Sequence, residues 1–130
     1  MVRTLALPNT ARTVRGSTFR GVTFLRSAVL NEGLLVLGAK EVVDGEEVEG
    51  DVFAQSGIES VVLPSTLREV ASGTFWKCRN FRSVWFAEGL ERIGEDAFRE
   101  TGLGSVVLPA SLKSVGEGAF DDCGDLEVRC

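Results

Sequence analysis

The chain contains no histidine and no tyrosine among its 130 residues. Without histidine it lacks the commonest general base at neutral pH and the commonest metal ligand. It also lacks the central member of every Ser-His-Asp or Cys-His nucleophile arrangement. Cysteine is scarce too: Cys78, Cys123 and Cys130 are an odd number and too few for a disulfide framework. Their spacing does not offer the close set of four ligands that a structural zinc site needs. Residues 121–125 (DDCGD) hold acids but lack the alternating ligand spacing and distal glutamate of a calcium loop. There is no glycine-rich G-x-x-x-x-G-K loop to cradle phosphate. The expectation is a chain with no enzymatic activity, no cofactor and no bound metal.

Long apolar runs are absent as well. The longest, over residues 34–39, is short and contains Gly38, far from the ~18 residues of a membrane-spanning helix. The first residues hold no apolar signal core, and Asn9, Asn31 and Asn80 all lack the serine or threonine two positions on that glycosylation needs. The chain as given is expected to be soluble and cytoplasmic, with the cell surface as its location if it belongs to a longer protein. Positive charge is in deficit, with 14 Lys+Arg against 19 Asp+Glu and a net charge of −5. That balance disfavours nucleic acid as a partner. It is also uneven: residues 1–31 carry five arginines and no acid, while residues 32–50 carry six acids and one lysine. A basic end and an acidic remainder would attract head to tail, so end-to-end homo-oligomers are a salt-sensitive expectation.

What is present in quantity is a repeat. Ile58 opens the segment IESVVLPSTLREVASGTFWKC, Phe81 opens FRSVWFAEGLERIGEDAFRET and Leu103 opens LGSVVLPASLKSVGEGAFDDC. Equivalent units open at Val2 and Leu25, and a partial unit opens at Leu126. The step from Leu25 to Ile58 is longer than the others by about ten residues, an insertion at about 38–48. One phenylalanine recurs in every full unit, as Phe19, Phe53, Phe75, Phe98 and Phe120. Each unit starts with apolar alternation and then changes spacing, which predicts one short strand, a turn and a helical or irregular return. The Leu-Pro step ends the strand, because proline has no ladder donor and biases its neighbour away from helix. Glycines at Gly16, Gly50, Gly94 and Gly116 sit where the return bends. Such a unit cannot bury its own apolar face, whereas stacked units can, with parallel strands and a continuous ladder of phenylalanines.

The pattern LxxVxLPxxLxxVGxxAFxxC resembles the BspA-type, or Treponema-type, leucine-rich repeats of bacterial surface proteins and protist proteins. The resemblance covers nearly the whole chain. Asn31 and Ala87 depart from it at the proline, Ser56 and Thr101 at the cysteine. It implies an α/β repeat solenoid: a leucine-rich-repeat array over 1–130, with a parallel β-sheet on the concave face and short helical or irregular convex segments. It also implies a stretch of a cell-surface adhesin that binds host or neighbouring-cell proteins.

Within that frame the repeat phenylalanines are core. Cys78 and Cys123 stand two units apart. At ~4.8 Å per rung they are separated by roughly 10 Å, beyond the ~7 Å reach of a disulfide, and they read as small core hydrophobes. Two outward columns remain on the strands: Thr4, Ser27, Ser60, Ser83 and Ser105, and beside them Ala6, Val29, Val62, Trp85 and Val107. The strand preference of β-branched residues accounts for the valines but poorly for Trp85. The candidate protein-binding residues are therefore Val29, Val62, Trp85 and Val107 with Ser60, Ser83 and Ser105, an apolar stripe flanked by hydroxyls. Trp76 should lie on the convex side, and the acidic insertion with its Asp-Gly pair should form a hairpin or loop.

Overall fold

The alternating stretch that opens each unit is extended over about three residues, and the apolar pair farther along forms a second, shorter strand. A computed structural model describes residues 4–6, 13–15, 20–23, 25–39, 41–48, 50–124 and 126–129. Its strands are β1 (Thr4–Ala6), β2 (Thr13–Arg15), β3 (Ser27–Val29), β4 (Val36–Ala39), β5 (Glu41–Val43), β6 (Glu46–Val48), β7 (Ser60–Val62), β8 (Glu69–Val70), β9 (Arg92–Ile93), β10 (Ser105–Val107), β11 (Ser114–Val115) and β12 (Glu127–Arg129). Strands β1, β3 and β7 form one parallel sheet, and β10 pairs in parallel with β12. Ser83, in the unit between them, reaches Ser60 through an isolated bridge. The return segment also carries strands, an unbroken parallel sheet in the order β11-β9-β8-β4-β2. Its register stacks Leu37, Val70, Ile93 and Val115. Among the described residues the return holds no helix. The rest of it is a succession of turns.

Those turns form a third hydrogen-bonded side. The N–H groups of Asp51, Phe53 and Gln55 donate to the carbonyls of Ser72, Thr74 and Trp76 in the next unit, each at 2.8 Å. Gly73, Phe75 and Lys77 repeat this onto Glu95, Ala97 and Arg99, and Asp96, Phe98 and Glu100 onto Glu117, Ala119 and Asp121, at 2.7–3.1 Å. The intervening N–H groups close tight turns within the unit, as in Ala54 to Asp51 (3.2 Å) and Ser56 to Phe53 (3.0 Å). Alternate donors point along the axis because the residues two before and two after each phenylalanine are left-handed. φ is 52° at Asp51, 63° at Gly73, 54° at Asp96 and 72° at Gly118, and 57–59° at Gln55, Lys77, Glu100 and Asp122. A non-glycine residue pays for this conformation in strain, and here the bonds between units offset it. Gly73 has a second reason to be glycine, since a Cβ there would run into the carboxylate of Asp51.

Inside the three sides lies the aromatic column. Phe53 stacks on Phe75 at 5.5 Å between ring centroids, Phe75 on Phe98 at 5.1 Å, and Phe98 on Phe120 at 5.3 Å, with interplanar angles of 4–15°. Phe53, Phe75 and Phe98 are fully buried, among Leu34, Leu37, Ile58, Val70 and Ile93. Phe19 and the glycine at Gly16 lie outside the described residues, as does Cys130.

The departures from the repeat pattern fall in the same two units and form pairs with the unit that follows. In the Leu25 unit, the Glu32 carboxylate accepts the Ser65 N–H (3.0 Å) and hydroxyl (2.7 Å). In the Phe81 unit, Glu88 accepts the N–H groups of Ala110 (3.2 Å) and Ser111 (3.3 Å). The glycine after each glutamate donates to a hydroxyl of the next unit, Gly33 to Thr66 Oγ1 and Gly89 to Ser111 Oγ, both at 2.8 Å. Ser56 and Thr101, in place of cysteine, sit 3.7 Å and 3.3 Å from the sulfurs of Cys78 and Cys123. Those thiols donate to the carbonyls of Phe53 (2.9 Å) and Phe98 (3.0 Å). Both cysteines are buried and free. The structural repeat is thus a pair of unlike units. The insertion is an antiparallel hairpin of β5 and β6, turned by Asp44 and Gly45 at φ of 49° and 82°. Two positive φ values in sequence are what a tight two-residue hairpin turn requires.

Two outcomes follow from this packing. Phe75→Ala or Phe98→Ala should each cost ~3–5 kcal/mol in denaturant unfolding, through lost transfer energy and an unfilled cavity; values below ~1 kcal/mol for both would contradict the stacked column. Burial pushes the Cys78 thiol up to about 11, so its reactive thiolate is scarce at pH 8. Alkylation followed by peptide mass mapping should leave Cys78 unmodified until denaturant unfolds the chain. Prompt native labelling at Cys78 would contradict its placement.

Candidate functional site

The outward face of the first-strand sheet is set by strand alternation. In β7 and β10 the central residues Val61 and Val106 point into the core, while Ser60, Val62, Ser105 and Val107 are exposed. In β3, Ala28 is buried and Val29 exposed. Among the described residues Trp85 is the most exposed large hydrophobic side chain, at 69%, and Val62 (59%), Val107 (58%) and Val29 (45%) are exposed as well. All seven candidate residues therefore emerge from one face.

Register brings some of them directly together. Ser27 pairs with Ser60 and Val29 with Val62, and the bridge sets Ser83 beside Ser60. Thr4 and Ala6 pair with Ser27 and Val29 through their backbone; their side chains lie outside the described residues. Ser105 and Val107 continue the columns onto Glu127 and Arg129, which pair with each other at 2.7 Å. The register extends both columns to these two residues, which the motif did not point to, because the partial unit ends too soon for a comparison. At the edge of the same face, Arg26 faces Glu59 at 3.8 Å and donates to the Gly57 carbonyl at 3.2 Å.

This face offers apolar area and hydroxyl groups. Among the described residues no group of three or more His, Cys, Asp or Glu side chains is placed to hold a metal. Two grooves lie elsewhere. One, of about 280 Å³, runs over the second sheet beside Glu69, Arg92, Glu95 and Ser114, with Glu69 and Arg92 paired at 3.6 Å. The other, of about 250 Å³, is lined by Asp51, Glu95, Asp96 and Trp76. Its acids are largely answered internally: Arg20 lies 3.4 Å from Asp51 and Arg99 3.5 Å from Asp96. Burial nonetheless holds the Asp51 carboxyl above its ordinary value, with Arg20 opposing. Trp76 is half-buried on the turn side, with Lys77 Nζ 4.6 Å from its ring centroid. On the opposite rim, the Ser65 N–H and hydroxyl hold Glu32 below the usual carboxylate range. Of the N-terminal arginines that underlie the end-to-end expectation, only Arg20 and Arg26 have described side chains. No helix of the described residues is long and apolar enough to cross a membrane.

No curated protein matches the chain. Solved structures do. A leucine-rich repeat protein of T. pallidum superposes with a TM-score of 0.84 at 28% identity, covering 95% of this chain and 56% of that one. The chain thus spans little more than half the length of that protein. A leucine-rich repeat protein from Bacteroides ovatus (TM-score 0.81, 17% identity) shares the fold over 98% of this chain and 33% of its own. So does a leucine-rich cell surface protein from Faecalibacterium prausnitzii (0.81, 20% identity), over 98% and 32%. The model of the BspA type leucine rich repeat region matches in six copies across residues 1–127. With the stacked parallel strands, the recurring phenylalanine and this match over nearly its whole length, the chain belongs to the BspA-type leucine-rich repeat family.

Proposed function

We propose that the chain is a non-catalytic protein-binding module whose contact surface is the concave, first-strand face centred on Trp85. The observation that carries the reading is the exposure of Trp85 in line with Val29, Val62 and Val107. An exposed indole beside these strands gains nothing for the monomer's own core. It is the kind of large, rigid group that dominates binding energy when a partner covers it. Repeat arrays present such extended faces as their principal functional surface. The serines beside the stripe supply hydroxyl donors and acceptors without obstructing a partner's approach. The absence of histidine supports the non-catalytic part of the reading.

A second reading sets the same face in a larger cell-surface adhesin that binds host or neighbouring-cell proteins. It is favoured by the fold shared with a leucine-rich cell surface protein three times as long, of which this chain covers 32%.

The test uses immobilised wild-type chain beside Trp85→Ala and Lys113→Ala, the latter a substitution on the other sheet's side of the molecule. A partner captured by wild type and by Lys113→Ala should bind Trp85→Ala at least roughly 30-fold more weakly, the equivalent of ~2 kcal/mol. The melting temperature of Trp85→Ala should be unchanged, because the indole is exposed. Full retention of binding by Trp85→Ala would overturn the assignment.

A further inference from the structure

The first-strand sheet fails at one unit, and that unit carries Trp85. The β3–β7 and β10–β12 junctions are bonded at both ends. At the exit, Leu30 N–H donates to the Val62 carbonyl (3.0 Å) and Leu108 N–H to that of Arg129 (2.7 Å). Leu63 and Phe86, the equivalent donors on either side of the Phe81 unit's two junctions, make no such bond. At the entry, Glu59 donates to Arg26 (2.7 Å), Arg82 to Glu59 (3.1 Å) and Glu127 to Gly104 (3.1 Å), whereas Gly104 makes no corresponding bond to Arg82. Residues 84–86 therefore belong to no ladder, and the sheet divides into β1-β3-β7 above and β10-β12 below.

The cause is legible in the side chains. Where other units have Leu25, Ile58 and Leu103 before the strand and Leu30, Leu63 and Leu108 after it, this unit has Phe81 and Phe86. Both rings are buried. Phe81 lies 4.6 Å from the ring of Phe75 and 6.2 Å from that of Phe98, and Phe86 meets Phe98 edge-on at 5.7 Å. Two extra rings at the ends of a three-residue strand occupy volume that leucines leave to the ladder. The other two sides of the same unit are intact. Strand β9 pairs with both β8 and β11, and the turn bonds from Phe75 to Ala97 (2.7 Å) and from Phe98 to Ala119 (2.8 Å) are present.

We propose that residues 84–87 are a hinge built into the first-strand face. The two halves of the sheet open and close about the unbroken second sheet, and Trp85 moves with the hinge segment. Parallel strands resist opening through their backbone bonds, so deformation concentrates where the exit half of one junction and the whole of the next lack them. The hinge is a property of the free chain. Its consequence, that the spacing between the Val29–Val62 and Val107 parts of the stripe adapts around Trp85, rests on the binding reading above.

Amide hydrogen exchange followed by NMR tests the hinge without any partner. In the wild type, the amides of Leu63, Trp85, Phe86 and Gly104 should exchange at least about tenfold faster than those of Leu30, Leu108, Glu59 and Glu127. Phe86→Leu, alone and with Phe81→Leu, restores the side chains of the neighbouring units and should slow the first group while leaving Val70 and Ile93 unchanged. Equal exchange in the two groups of the wild type would overturn the hinge. So would fast exchange that persists in both variants while Val70 and Ile93 stay protected. Should a variant lose protection at Val70 and Ile93, and so unfold, the wild-type comparison alone decides.

Discussion

Everything in this molecule depends on equivalent residues returning to the same height on successive turns of the chain. The stacked rings of Phe53, Phe75, Phe98 and Phe120 are the direct expression of that constraint. Flat rings at 5.1–5.5 Å can follow one another only if the backbone advances by about one strand spacing per unit. The two sheets enforce that advance on two sides. On the third, the N–H groups of Phe53, Phe75 and Phe98 are themselves donors to the next unit. Ring stacking and backbone bonding are therefore one interaction viewed at two atoms, and a unit that loses one loses the other.

This coupling explains residues that look arbitrary one at a time. Gln55, Lys77 and Glu100 hold a left-handed conformation that their side chains do not favour, because only that conformation turns alternate N–H groups toward the neighbour. Glu32 and Glu88 stand where the following units have Ser65 and Ala110 after proline, and each caps N–H groups of the following unit. A carboxylate that accepts backbone N–H groups across a junction ties two units more specifically than apolar contact does. The array is held generally by its aromatic column and specifically by these pairs.

The recurrence of one phenylalanine in every full unit made the repeat, the first strands and the buried column readable from the residues alone. The outward stripe was readable for the same reason, since β7 and β10 alternate as strands do. Other features were not. The second sheet is built of two-residue strands such as Glu69–Val70 and Arg92–Ile93, too short to show a period. The left-handed turns at Gln55 and Lys77 leave no glycine or asparagine as a signal. The substitutions at Asn31, Ala87, Ser56 and Thr101 were visible as departures, but their common meaning lies in partners one unit away. Phe81 and Phe86 were visible as larger residues, yet the broken ladder beside Trp85 follows from how their rings share space with Phe98.

The face that carries Trp85 thus lies where Phe81 and Phe86 add rings to the stacked column. The most direct test of the central constraint is a double-mutant cycle on the column, with Phe75→Leu, Phe98→Leu and the double variant measured by denaturant unfolding. Stacking through a shared register predicts a coupling energy of about 0.5–1.5 kcal/mol between the two rings. Costs that add to within ~0.3 kcal/mol would contradict it, and would mean that the rings fill space side by side without holding the units in step.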